Sequence, residues 1–168
     1  MVAATLKQLD VWFNEPSQGG DRTKLLSKLA TLELCGWLEG EFDRLILLAE
    51  QNTLADPAWV KANVIDHTSG FLYESHWRKM LCRVVGEIFT RRVEKHMHEN
   101  HPGDLDQLKQ MLKNLWDTRC KYAHEHMIAH IALQQTFQAP SWSINQHRLL
   151  KKHLALYETS MLAVLATI

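Results

Sequence analysis

The sequence predicts an all-α fold, a four-helix bundle with an extra short helix, on three grounds. Gly, Pro and Asn gather at SQGGD, LADPAW, ENHPGD and QAPSWSIN, with few breakers between these clusters, so the chain divides into four long helical segments. No stretch alternates apolar and polar residues as a half-buried strand does. Apolar residues after Pro102-Gly103 recur at a 3-4 spacing over several turns. With 168 residues, 46% of them apolar, the chain is expected to form one domain around one core.

Residues 1–20 are read as an N-terminal segment. The first long helix is expected over 22–51 with Asp21 as N-cap, because a short side-chain oxygen there can accept from the first free N–H groups. A short helix is expected after Asp56-Pro57, since proline suits a first helical turn. The second long helix is placed over 69–97, its inner face set by Phe71, Trp77, Leu81, Val85 and Ile88, with Glu74 inside that face and Arg78 one turn on. A third follows the Pro102-Gly103 turn over 104–138 with Asp104 as N-cap. Its stripe is Leu105, Leu108, Leu112, Leu115, Tyr122, Ala129 and Leu133, and Arg119 falls in the middle. A second strip of Trp116, Cys120, Ala123, Met127 and Ile131 develops beside it, which predicts burial of the helix on more than one side. The fourth helix is placed over 144–166.

Charge and cysteine usage narrow the function classes. Nineteen basic and nineteen acidic residues cancel, so binding to nucleic acid or an anionic surface must come from a local patch. Cys35, Cys82 and Cys120 are dispersed and odd in number, which suits a reducing cytoplasm. No basic, apolar leader opens the sequence and no apolar run reaches the length of a bilayer span, so neither export nor a membrane partner is expected.

Charged residues written into core-facing stripes require compensation, because an unpaired buried charge is costly. One reading is an internal ion pair of Glu74 with Arg78 or with Arg119. The other is that these side chains line a polar groove. The segment NLWDTRCKYAHEH holds Arg119-Cys120-Lys121-Tyr122-Ala123-His124, an R-x4-H arrangement late in an all-helical chain. With Leu115 and Trp116 as apolar lead-in and Ala123 as the small residue before the histidine, it resembles the catalytic signature of the HEPN superfamily, nearest to bacterial toxin and phage-defence ribonucleases. The sequence departs from that pattern at Cys120, where many members carry Asn, Asp or His. His126 and Met127 also stand where related toxins silenced by nucleotide transfer carry an acceptor tyrosine.

The resemblance implies a metal-independent endoribonuclease that needs no cofactor, with Arg119 and His124 catalytic and Glu74 supporting from the preceding helix. A histidine can take a proton from a ribose 2′-OH, and an arginine can hold the phosphate as negative charge builds. Five residues along an ideal helix separate the two by about 140° and about 7.5 Å, so they converge only at a groove. The bland reading of His124 is a partly buried histidine bonded to a backbone carbonyl. Candidate contacts to the RNA backbone are Arg78, Lys121, Arg148, Lys151 and Lys152; a row of such residues is otherwise the solvated face of a helix. A second row, Arg91, Arg92 and Lys95, is weighed in the same way.

Apolar surplus on the third helix and at the end of the chain, Leu154 to Ile168, predicts a homodimer joined through the third and fourth helices. A cognate antitoxin or regulatory protein is the further partner that the resemblance implies. The alternative is a non-catalytic HEPN-like module that binds a protein or nucleotide. No metal site is expected: His96, His98 and His101 lack a spaced carboxylate or cysteine and are read as exposed where the second helix frays. His124-Glu125 is not an H-E-x-x-H motif, because Ile128 takes the second histidine position.

Overall fold

The computed structural model describes residues 1–16, 20–51, 53, 56–124 and 137–167, the side chain of His124 excepted. Every regular element among them is helical: α1 Val2–Phe13, α2 Gly20–Gln51, α3 Pro57–Val60, α4 Arg78–Val85, α5 Glu87–Asn100, α6 Asp104–His124 and α7 Pro140–Leu165. Two π-helical turns, Lys61–Ile65 and Tyr73–Trp77, continue α3 and lead into α4. None of the described helices is long and apolar enough to cross a membrane. Backbone proximity divides the chain into two compact units, Met1–Trp37 with Asn114–Leu149 and Leu38–Lys113 with Leu150–Ile168.

In the first unit, the segment expected only as an N-terminal extension forms α1. Twelve residues make a marginal helix in isolation. Tertiary packing supplies what is missing, because Leu6 and Leu9 are buried against Leu26 and Ala30 of α2, with Val2, Phe13 and Ile144 around them. Leu115 and Tyr122 of α6 are also buried. The backbone at 137–139 is not helical and α7 starts at Pro140, so the helix expected over 104–138 does not reach its predicted end and the last helix begins four residues early. Proline fits that start, since a first-turn residue has no intrahelical partner for the N–H that proline lacks.

The second unit is centred on Trp77, stacked on Phe42 with ring centroids 4.4 Å apart and tilted at 47° against Tyr157 at 4.3 Å. Two expectations fail here. The helix expected over 69–97 is two helices, because Gly86 (φ 84, ψ 161) ends α4 and opens α5 in a conformation reserved for glycine. The break resets the helical phase: Ile88, expected inside, is 74% exposed, while Phe89, Val93 and Met97 are buried. The π-helical turn then moves Glu74. Its extra residue puts Tyr73 and Trp77 on the buried side and leaves the Glu74 side chain 64% exposed rather than within the inner face.

The expected short helix after Asp56-Pro57 is α3, and the Asp56 carboxylate accepts from the N–H of Trp59 at 3.0 Å. Helix α5 runs to Asn100, so His96 and His98 are helical rather than frayed; His98 is exposed, whereas His96 and His101 are half-buried. Of the apolar chain end in this unit, Leu154, Tyr157, Met161 and Val164 are buried, while Ala155, Leu162 and Ala166 are exposed.

Candidate functional site

The R-x4-H segment lies in the first unit on the second half of α6, in unbroken helical backbone from Arg119 to His124. Arg119 stands one turn after buried Leu115 and three residues before buried Tyr122, so it belongs to the stripe where the sequence placed it, and it is half-buried there. Its guanidinium carbon lies 5.2 Å from the Trp116 ring centroid. That cation–π contact, of order 0.5–1 kcal/mol near a surface, restricts where the guanidinium points. Trp116 and Cys120 are half-buried, and Lys121 and Ala123 are exposed. The imidazole of His124 lies outside the described residues, as do His126, Met127, Ala129, His130, Ile131 and Leu133.

Tyr122 anchors the polypeptide that follows. Its phenol oxygen accepts from the N–H of Gln138 at 2.8 Å, and its ring packs on Phe137 with centroids 4.8 Å apart. Sequence reading gave Tyr122 to the core stripe and missed this clamp. Its signal was the hydroxyl itself, since a buried tyrosine normally finds a partner for it.

Glu74 belongs to the second unit. Its carboxylate pairs with Lys109 at 2.9 Å and lies 3.8 Å from Nε of Arg78, so of the two ion pairs weighed from the sequence, the one with Arg78 is made. Lys109 also rests 4.6 Å from the Tyr73 ring centroid. Arg78 carries most of this cluster. Its guanidinium donates to both Glu87 oxygens at 3.1 and 2.8 Å and, through Nε, to Glu94 at 2.8 Å. These carboxylates hold the arginine firmly charged. In turn Arg78, and then Arg91 and Cys82, pull the Glu87 carboxyl down to about 2. Glu94 further accepts from the Tyr73 hydroxyl at 2.9 Å, which lies 3.4 Å from the Tyr157 hydroxyl; burial first, then Tyr157 and Glu94, push the Tyr73 phenol up, whereas burial raises that of Tyr157 against the opposing hydrogen bond with Tyr73. Arg78 therefore tethers α4 to α5 across the Gly86 bend, and its donors are committed to carboxylates of its own unit.

The remaining candidate contacts are on the surface. Arg148 is exposed and donates to the Asn145 side chain at 3.0 Å. Lys151 and Lys152 are exposed, with Lys152 3.8 Å from Asp104. In the other basic row, Arg91 pairs with Glu87 at 2.7 Å and Lys95 with Glu99 at 3.7 Å, so that row is partly neutralised. Among the described residues no group of three or more His, Cys, Asp or Glu side chains is placed to hold a metal ion.

Searches of the chain against protein-family models, curated proteins and solved structures find no match.

Proposed function

We propose that this chain is a metal-independent endoribonuclease of HEPN type, a four-helix bundle acting as a homodimer on RNA. One observation carries the reading: the R-x4-H residues share one continuous helix, and the arginine sits half-buried in an apolar stripe with its guanidinium oriented over Trp116.

In this reading His124 accepts the proton of a ribose 2′-OH, and the oxygen attacks the adjacent phosphorus. The bond to the 5′-oxygen of the next nucleotide breaks, that oxygen takes a proton, and the upstream fragment keeps a 2′,3′-cyclic phosphate. Arg119 offers paired N–H donors to the phosphate oxygens as charge builds. Glu74, held by Lys109, takes no proton in this scheme. Lys121, Arg148, Lys151 and Lys152 supply cations to the strand. The setting that goes with this chemistry is a bacterial toxin or phage-defence effector in the cytoplasm, restrained by an antitoxin or regulatory protein.

A second reading, a non-catalytic module that binds a protein or nucleotide, is favoured by Cys120 standing where a polar neighbour of the arginine would orient the site. The two are separated by assaying His124→Ala for RNA cleavage in excess chelator, with circular dichroism as the control on folding. The nuclease reading expects a folded, inactive variant, and a variant as active as the parent contradicts it.

A further inference from the structure

In the first unit, helix α2 carries a second apolar stripe that faces away from its own core. Ala30, Thr31 and Leu34 are buried, whereas Leu25 and Leu29 are 49% and 43% exposed, Leu32 is half-buried and Gly36 is exposed. At about 100° per residue these last four positions fall within about 60° of one another, on the side opposite the buried set. Isolated exposed leucines are ordinary. Four positions spaced 4-3-4 along an outward face, where solvated charge is the rule, make a continuous seam. An open groove of about 360 Å³ widens the patch toward α1, since Val2 and Thr5 line it together with Leu32 and Gly36. Trp12, 41% exposed, follows Thr5 by two helical turns and so shares its side of α1.

Gly36 adds an independent sign. Glycine weakens a helix interior relative to alanine, yet an added Cβ at Gly36 would meet no atom within 4 Å. The fold of the chain therefore does not demand glycine there, whereas a second helix backbone packed closely on the seam would.

The charges beside the seam identify the occupant. Lys28, half-buried, and Glu33, exposed, hold the two flanking positions, five residues apart on opposite sides of it. At that spacing a parallel, in-register copy brings Lys28 of each chain to Glu33 of the other, twice over by symmetry. An antiparallel copy leaves them on opposite sides of the seam.

We infer that a second copy of this chain packs on this face, α2 against α2 in parallel, with Leu25, Leu29 and Leu32 each meeting its counterpart. The contact then lies on α2 rather than on the third and fourth helices expected from the sequence. From the endoribonuclease reading the inference takes only the homodimer, and its test does not depend on whether RNA is cut.

Sedimentation equilibrium of the full chain is expected to show monomer and dimer exchanging between about 1 and about 100 µM. Leu29→Gln changes an exposed side chain and should weaken pairing about tenfold, with circular dichroism unchanged. Lys28→Glu sets like charges across the seam and should weaken pairing about fivefold; adding Glu33→Lys should restore it to within about twofold. Leu25→Cys should give a disulfide-linked dimer under mild oxidation, beyond any formed by the thiols of the parent. In an antiparallel copy centred on the same seam the two cysteines would stand about 16 Å apart, out of reach. A parent that stays monomeric up to about 100 µM overturns the inference. So does a dimer that Leu29→Gln leaves intact, which would lie on another face and keep the homodimer. A dimer weakened by Leu29→Gln but lacking either the charge-swap rescue or the Leu25→Cys link overturns the parallel pairing. RNA cleavage is scored apart: a monomer that cuts removes this interface and keeps the nuclease, and this dimer without cleavage does the opposite.

Discussion

The phenol oxygen of Tyr122 and the backbone N–H of Gln138, sixteen residues apart in the chain, are joined by a 2.8 Å hydrogen bond. Tyr122 is 2% exposed, so its removal leaves the Gln138 donor facing an apolar ring. Tyr122→Phe is expected to cost about 0.5–1.5 kcal/mol in urea unfolding, the usual net worth of such a hydrogen bond, because Gln138 itself is exposed. Unchanged stability would mean that water replaces the phenol.

Gly86 tests the helix break. At φ 84 and ψ 161 it occupies a region that L side chains avoid, yet an added Cβ would meet no atom within 4 Å. Backbone strain is then the whole effect, and Gly86→Ala is expected to destabilise the protein by about 1–3 kcal/mol. A neutral result in thermal unfolding would show that α4 and α5 can run on as one helix.

That contrast marks how far the sequence could be read. Clusters of breakers announced the turns before Pro57 and before Asp104, and the Leu105 to Leu115 spacing put Arg119 at its observed place on α6. A single glycine within VVGEIF carries no such signal, since glycine is tolerated inside helices and only its φ shows that this one breaks the helix. The π-helical turn at Tyr73–Trp77 leaves the 3.6-residue period on which the Glu74 assignment was built, so that residue was read onto the wrong face. The α1 helix was passed over although Val2, Leu6, Leu9 and Phe13 stand at a 3-4 spacing, because four positions over twelve residues make a short signal and the segment holds as a helix only through its packing on Leu26 and Ala30.

Glu50, next to last in α2, is fully buried, and neither carboxylate oxygen has a hydrogen-bond partner among the described residues. A carboxylate near a helix C-terminus also opposes the helix dipole. Glu50→Met keeps the unbranched shape and removes the polar group, and should raise stability by about 1–3 kcal/mol. A loss of stability on denaturant unfolding would show that Glu50 holds a partner essential to the fold.

His153 sets a pH dependence. Its side chain is 3% exposed, with Nδ1 3.0 Å from Asp104 and Lys152 as the other charged neighbour. Burial lowers its affinity for a proton below the ordinary 6.5; Asp104 opposes that shift and Lys152 adds to it. The unfolded chain thus binds this proton at a pH where the folded chain does not, and stability falls as pH drops below about 6.5. His153→Gln should flatten the stability profile between about pH 5 and 7 relative to the parent. Equal slopes would remove His153 from the account.

End-group analysis of a short RNA incubated in excess chelator tests the assignment of Arg119 and His124 most directly. The account predicts cleavage that leaves a 2′,3′-cyclic phosphate on the upstream fragment, that fails on 2′-deoxy and 2′-O-methyl substrates, and that is lost in His124→Ala. It also predicts a decline as the pH falls below the ordinary imidazole range near 6.5, where a protonated base can no longer accept. A plain 3′-hydroxyl product, or cleavage of the 2′-deoxy strand, would contradict it, because water rather than ribose would then be the nucleophile.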